Sequence, residues 1–115
     1  MDTLDMQQCE PCRGDEAALT HKEIETFLEQ LPQWKLYRAQ DSPRITRSFS
    51  FDDFSQALSF TNRVGQLAEQ QDHHPRITTE WGKVHVSWWT HKIGGLHTND
   101  FIMASKTDNL YKESF

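Results

Sequence analysis

The sequence predicts an α+β domain: a four-stranded antiparallel sheet with helices on one face, in the order α-β-β-α-β-β-α. Two observations lead to this prediction. Apolar residues recur at helical spacing in three segments, and between these segments lie two pairs of short alternating stretches, each pair joined by turn-forming residues. Closely spaced strand pairs form hairpins, so the pattern favours one antiparallel sheet with the helices segregated from it.

The chain of 115 residues suits a single compact domain. Residues 1–18 are mostly charged or small and are typical of a poorly ordered leader. We therefore expect the folded domain to span residues 19–115.

The first helix is predicted to begin at Thr20, which forms the pattern of a capping box with Glu23, and to end before Pro32. Between them, positions i, i+3, i+4 and i+7 are apolar: Ile24, Phe27, Leu28 and Leu31. Alternation over residues 34–37 and 45–51, with a turn-prone run at residues 40–43, predicts the first hairpin.

A second, longer helix is predicted to follow, with Asp52 or Asp53 as its N-cap. Its apolar surface is wider than one stripe, which predicts packing on two sides and an oligomer; the family resemblance described below implies a homodimer or homotetramer. Gly65 lies in the middle of this helix and either permits close packing or marks a weak point.

The second hairpin is predicted after Pro75, which cannot continue a helix. Residues 77–81 and 83–90 read as its two strands, joined tightly at Gly82. The pair Gly94-Gly95 then turns the chain into a last helix from about residue 98 to 111.

Charge and hydropathy exclude several classes of protein. The net charge of -5 and the lack of any Lys/Arg block disfavour direct nucleic-acid binding. No stretch approaches the roughly 18 apolar residues of a membrane span, and the polar N-terminus does not resemble a secretion signal. We expect a soluble, cytoplasmic protein.

The two cysteines, Cys9 and Cys12, form a Cys-x-x-Cys pair in a polar segment without helical or strand periodicity. Two thiols supply half of a zinc site, and no second pair is present. We expect the pair to be functionally silent; a metal completed by His21 or by a second subunit is the alternative.

A spaced set of acid–base groups lies between Glu69 and Asp100. Imidazole titrates near neutrality, so His73, His74 and His91 could exchange protons with one small molecule without a metal or cofactor. Glu69 is one helical turn before His73, on the same face if the helix persists that far, and could hydrogen-bond an imidazole or a ligand nitrogen.

Each of these residues also has a simpler interpretation. Most single histidines are solvated polar residues, which is what we expect of His21, His85 and His97. The tryptophans at 81, 88 and 89 suit core or sheet-face packing, and Asp100 suits the positive end of a helix dipole. A zinc site formed by His73, His74 and His91 is the more specific alternative to acid–base chemistry, although the adjacent pair lacks chelate spacing.

The spacing Glu69-x3-His73-His74-Pro75-x5-Trp81-x9-His91-x8-Asp100 resembles the signature of the pterin-4a-carbinolamine dehydratases. The resemblance covers roughly residues 20–111. It includes a Leu-Pro-x-Trp entry that ends at Trp34 and a Thr-His-x-x-Gly-Gly-Leu run that starts at Thr90.

The resemblance implies a dehydratase that converts 4a-hydroxytetrahydropterin to quinonoid dihydropterin and water in tetrahydrobiopterin recycling, with no cofactor and no metal. It implies His73 and His91 as the proton-transfer pair, with their acid and base roles open, and His74 as an orienting or assisting group. The residues that would bind substrate or shape the pocket are Glu69, Asp100, Trp34 and Thr90.

The chain departs from the family pattern at two positions, Lys92 and His97. His97 replaces a hydroxyl residue that would cap the last helix, a role that Thr98 could take over. The family also includes members that bind a transcription factor, so a protein-binding module acting as a dimerisation cofactor or coactivator is the alternative function.

Overall fold

The computed structural model describes residues 4–9, 17–39 and 42–114. In these ranges the helices are α1 (His21–Glu29), α2 (Phe54–Gln71) and α3 (Thr98–Ser114), and the strands are β1 (Lys35–Ala39), β2 (Ser42–Ser50), β3 (Arg76–Glu80) and β4 (Lys83–Trp88). Single 3-10 turns lie at Leu4–Met6 and His91–Ile93. The predicted order of helices and strands is confirmed.

The four strands form one antiparallel sheet in the order β1-β2-β4-β3. The register pairs Phe49 with Val84 and Ile45 with Trp88, so these four buried side chains share one face of the two central strands. Residues between them, such as His85, are partly exposed. One face of the sheet therefore forms the core, and the opposite face is open.

Helices α2 and α3 pack on the buried face of the sheet and against each other, as predicted. Helix α2 buries Ala57, Phe60, Val64 and Ala68, which follow helical spacing. The rings of Phe49 and Phe60 lie with their centroids 4.7 Å apart at the centre of this layer. Within the described ranges, none of the helices combines the length and hydropathy needed to cross a bilayer.

Local hydrogen bonds explain where the first two helices begin. The Thr20 side chain accepts the N–H of Glu23 at 3.2 Å while the Glu23 carboxylate accepts the N–H of Thr20 at 2.9 Å, so the predicted capping box is present. Of the two candidate caps for α2, Asp53 takes the role and accepts the Gln56 N–H at 2.8 Å.

Two strand boundaries differ from the sequence prediction. Ser42 and Pro43 were expected in a turn but belong to β2, where they pair with β1. Pro43 lies beyond the part of β2 that pairs with β4, so its missing N–H leaves no gap in that ladder. Strand β4 ends at Trp88, and Thr90 instead forms an isolated bridge with Gly95.

Part of the predicted leader packs on the domain. In the described residues 4–9, Leu4 is buried in the core and the Leu4–Met6 turn contacts α3. The N–H of Cys9 donates to Oε1 of Gln71 at 3.0 Å. Leu4 supplies the apolar anchor of this contact. Cys12 lies outside the described residues.

Candidate active site

A cleft of about 520 Å³ lies where α2 ends and β4 leaves the sheet. It brings together four of the residues proposed from sequence, His73, His74, Thr90 and His91. The other lining residues are Cys9, Gln71, Asp72, Trp89, Lys92 and Asn99.

The end of α2 sets the directions of the adjacent histidines. Asp72 adopts the left-handed conformation (φ 50°, ψ 44°), and its N–H and that of His73 donate to the carbonyls of Glu69 and Ala68. This Schellman-type stop ends the helix before His73. The two side chains therefore diverge, with His73 only 11% exposed and His74 55% exposed.

His73 is held by a buried carboxylate. Its Nε2 lies 2.6 Å from Oδ1 of Asp100, whose side chain is fully buried in the first turn of α3. The second oxygen of Asp100 accepts the Thr90 hydroxyl at 2.8 Å and the His97 N–H at 2.9 Å. Nε2 of His73 thus has a carboxylate oxygen as its partner, and Nδ1 remains for another partner.

Trp88 fixes the plane of the same imidazole. The rings of His73 and Trp88 are stacked, with centroids 5.8 Å apart and planes 10° apart. Trp88 is completely buried, so this ring is a rigid support. One interpretation from sequence assigned Asp100 only an interaction with the helix dipole. In the structure its carboxylate also anchors the site through His73.

Glu69 was expected to hydrogen-bond an imidazole or a ligand nitrogen, and the imidazole it meets is that of His74. Its Oε2 meets Nε2 of His74, and no hydrogen bond to His73 is present. The reason is the stop at Asp72, which removes His73 from the helical face of Glu69. Glu69 does not line the cleft, and both partners of this pair are exposed, so the pair contributes little to stability.

His91 lies in the turn that follows β4 and is exposed. Its ring packs against Trp89, with centroids 4.5 Å apart. On Trp89, the guanidinium of Arg44 lies 3.8 Å from the ring centroid. Trp89 was expected to pack in the core or on a sheet face. It also lines the cleft beside His91, although both residues follow the end of β4.

Trp34, expected to shape the pocket, lies in the core instead. Its Nε1 donates to Oδ1 of Asp108 at 2.9 Å, and its ring meets Phe49 edge-on at 6.1 Å. Trp81 is 74% exposed at the β3–β4 turn. Neither tryptophan lines the cleft. Trp34 instead contacts Asp108 of α3 and Phe49 of β2.

Sequence reasoning missed the wall formed by Cys9, Gln71 and Asn99. The Gln71 amide accepts the N–H of Cys9 and donates to Oε1 of Gln8 at 2.8 Å, which fixes the N-terminal segment beside the cleft. Burial raises the pKa of the Cys9 thiol to about 11. Residues 62 positions apart show no local pattern, so no sequence signal pointed to this contact.

His97 itself caps α3. Its Nδ1 accepts the N–H of Asn99 at 3.0 Å, while Asp100 accepts the N–H of His97. The hydroxyl of Thr98, the substitute expected from sequence, makes no hydrogen bond within the described residues. An imidazole thus replaces the missing hydroxyl.

Within the ranges the structure describes, no cluster of three or more His, Cys, Asp or Glu side chains is arranged to hold a metal ion. The cleft offers proton-transfer groups and hydrogen-bond donors around an open space. That arrangement suits acid–base chemistry on a small organic molecule.

Comparison with known proteins places the chain in a family. The family model for "Pterin 4 alpha carbinolamine dehydratase" matches residues 17–110. A protein of Chlorobaculum tepidum, named as a pterin-4-alpha-carbinolamine dehydratase, is 52% identical over 110 residues, which cover 96% of this chain and 99% of that protein. One of the same name from Marinobacter nauticus is 50% identical over 111 residues, covering 96% and 100%.

Solved structures agree. A Brucella melitensis protein described as a transcriptional coactivator/pterin dehydratase is 34% identical, with a TM-score of 0.75 over 82% of this chain and 98% of that chain. A pterin dehydratase-like RuBisCO assembly factor of the alpha-carboxysome shares the fold alone, at 19% identity and a TM-score of 0.58 over 69% and 89%. The chain belongs to the pterin 4 alpha carbinolamine dehydratase family, a family of hydro-lyases, as its motif spacing predicts.

Proposed function

We propose that the cleft dehydrates a 4a-hydroxytetrahydropterin to the quinonoid dihydropterin, in the recycling of tetrahydrobiopterin in the cytoplasm. The observation that carries the proposal is that His73, just before β3, and His91, just after β4, line one cleft at the open end of the β3–β4 hairpin. Family membership is the basis for proposing a pterin as the substrate.

The reaction needs one acid and one base. The C4a–O bond breaks as the hydroxyl leaves with an added proton as water, and N5 loses its proton as the new double bond to C4a forms. The two protons move at neighbouring atoms of one ring, so the acid and the base must flank it. Two imidazoles meet this need near neutral pH.

The contact with Asp100 favours His73 as the base. With Nε2–H donated to the carboxylate, neutral His73 presents only the Nδ1 lone pair to the cleft and accepts the N5 proton. The resulting imidazolium is paired with Asp100. His91 would then protonate the leaving hydroxyl, His74 would orient the ring, and the buried Thr90 would position Asp100 through its hydroxyl.

The test is to generate the 4a-hydroxypterin with an aromatic amino-acid hydroxylase and follow its absorbance decay. His73→Ala and His91→Ala are each expected to lower turnover by about 10²-fold or more while circular dichroism stays unchanged. His21→Ala is the matched control, because His21 is an exposed α1 residue paired with Glu25. Wild-type turnover in the His73→Ala/His91→Ala double variant would refute the proposal.

A second candidate function, binding to a protein partner, is favoured by one observation. Phe54 and Leu58 lie four residues apart on α2 and are 43% and 45% exposed. The same surface suits the proposed homodimer or homotetramer. Phe60 and Leu67 of the same helix do not belong to this surface, because Phe60 is buried in the core and Leu67 packs against it.

Light scattering at micromolar concentration tests the oligomer. We expect wild-type protein to exceed the mass of a monomer and Phe54→Glu/Leu58→Glu to lower that mass. Gln66→Glu, which adds one charge at an exposed α2 position, is the control. A monomeric wild-type protein would contradict the oligomer. If a purified partner binds and Phe54→Glu does not weaken that binding, this surface is not the binding site.

A further inference from the structure

The open face of the sheet holds a second cavity, of about 300 Å³, separate from the histidine cleft. All four strands contribute to it. Its lining comprises two arginines, one tyrosine, one histidine and four serine or threonine residues, and no carboxylate among the described residues lines it. In a chain of net charge -5 this cavity is a local concentration of positive charge.

The strand register aims the two arginines at the same place. Arg76 on β3 pairs with Ser87 on β4, and Ser87 pairs with Thr46 on β2, two residues along from Arg44. Strands two apart in a sheet are separated by about 10 Å, which two extended arginine side chains can bridge from opposite sides. Both guanidinium groups therefore border one space above β4.

Neither arginine forms an ion pair with a carboxylate of the described residues. Arg44 lies over the ring of Trp89, and its Nε is buried with no hydrogen-bond partner in the described structure. Arg76 is exposed. The nearby carboxylate of Glu80 is bound to Nε2 of His85. An anion in the cavity would pair with both guanidinium groups.

The hydroxyl groups divide into a fixed floor and free donors. Ser87 donates to Thr46 at 3.1 Å, and Thr46 donates to the carbonyl of Val86 at 3.2 Å, so these two hydroxyls are held in place. The hydroxyls of Tyr37 and Thr78 have no partner within the described residues and remain as donors. Two guanidinium groups and two hydroxyls suit an anion with oxygens on several sides, as in phosphate, better than a planar carboxylate.

We propose that this cavity is a binding site for the phosphate group of a small molecule. The volume exceeds the need of the phosphate alone and leaves room for an ester substituent beside Tyr37. The proposal does not depend on the pterin chemistry of the other cleft, because its residues take no part in the proton transfers.

The experiment titrates ¹⁵N-labelled full-length protein with inorganic phosphate and, separately, with phenyl phosphate. We expect saturable shifts of the Arg44 and Arg76 side-chain signals and of the Thr46 and Ser87 amides. Tighter binding of phenyl phosphate identifies a phosphate ester as the ligand class, and equal binding identifies free phosphate. Arg76→Gln should weaken binding about tenfold. Arg76→Lys should weaken it less, because lysine keeps the positive charge but loses the paired N–H donors of the guanidinium group.

Lys83→Gln is the matched control, because it removes the same charge from the open face at a position that does not line the cavity. Its affinity for phosphate should stay within about twofold of wild type. Equal weakening by Lys83→Gln and Arg76→Gln would overturn the proposal, since it would show general surface attraction. Binding of a single-stranded oligonucleotide with no response to either phosphate would overturn it as well.

Discussion

The Nε2 atom of His73 lies 2.6 Å from Oδ1 of Asp100, a carboxylate that no solvent reaches. These residues lie 27 positions apart, one after the stop of α2 and the other in the first turn of α3. The contact holds an imidazole whose ring plane is already set by Trp88. The proposed acid–base chemistry therefore rests on the packing of α3 as much as on the histidines.

Replacing Asp100 by Asn should lower turnover by about 10²-fold or more, because an amide no longer selects the Nε2–H tautomer of His73. The side chain keeps its size, so the fold should survive with some loss of stability. Steady-state kinetics with the 4a-hydroxypterin and a urea unfolding curve measure the two effects.

Asp108→Asn provides the control for Asp100→Asn. Asp108 is also a partly buried carboxylate, bound to Arg47 at 2.6 Å and to Trp34 at 2.9 Å, but it is remote from the cleft lining. This variant should lose stability and keep turnover. Equal loss of turnover in both variants would contradict a specific role for Asp100.

His97→Ala should lower the free energy of unfolding by about 1 kcal/mol, because the N–H of Asn99 loses its acceptor at the start of α3. His97→Thr should restore most of that loss, because a hydroxyl can accept the same N–H. Thr98→Ala, one residue further on, should change little. Chemical denaturation of the three variants measures these changes. A larger loss of unfolding free energy in Thr98→Ala than in His97→Ala would show that the cap is assigned to the wrong residue.

Gly65→Ala should raise the free energy of unfolding by about 1 kcal/mol, because alanine favours the helix interior. A Cβ at position 65 would meet no atom within 4 Å, so close packing does not require this glycine. Gly94→Ala should have the opposite effect, because Gly94 has a φ of 60°. Thermal melts of both variants test the contrast; a destabilised Gly65→Ala would indicate an unseen neighbour, such as a second subunit.

The thiol of Cys9 should react slowly. Its pKa of about 11, against an ordinary 9.0, makes the thiolate about 100-fold rarer near pH 8 than in the unfolded chain. In a Cys12→Ser background, iodoacetamide should therefore modify the folded protein about 100-fold more slowly than the urea-unfolded chain. Gln71→Ala, which frees the Cys9 backbone, should speed the reaction, whereas the exposed neighbour Gln70→Ala should not.

The same thiol makes stability depend on pH in a defined window. The unfolded chain loses the Cys9 proton at lower pH than the folded chain, so stability present below pH 9 is lost as the pH rises through 11. The difference in unfolding free energy between wild type and Cys9→Ala should shift against the wild type over this window. A difference that is constant with pH would contradict the burial of the thiol.

The fold could be predicted because its elements are specified locally. The capping box at Thr20, the cap at Asp53 and the alternation along β4 each involve a few neighbouring residues. The position of Pro43 could not be predicted in this way, because a proline is tolerated in a strand only where the neighbouring strand has ended.

For the candidate site, the sequence indicated which residues lie together better than it indicated their contacts. Motif spacing identified His73, His91 and Asp100, and the structure puts the two histidines in one cleft. The partner of Glu69 could not be predicted, because it depends on the residue at which the helix ends. The contribution of Cys9 depends on a tertiary contact of the N-terminal segment, to which no local pattern points.

The left-handed residue at the end of α2 bears on directed evolution of the enzyme. Glycine at position 72 would relieve about 1 kcal/mol of backbone cost. It would also make the backbone more flexible at the turn that directs the side chains of His73 and His74 apart. Libraries selected for heat resistance should therefore accept glycine here, whereas libraries selected for catalytic throughput should retain aspartate.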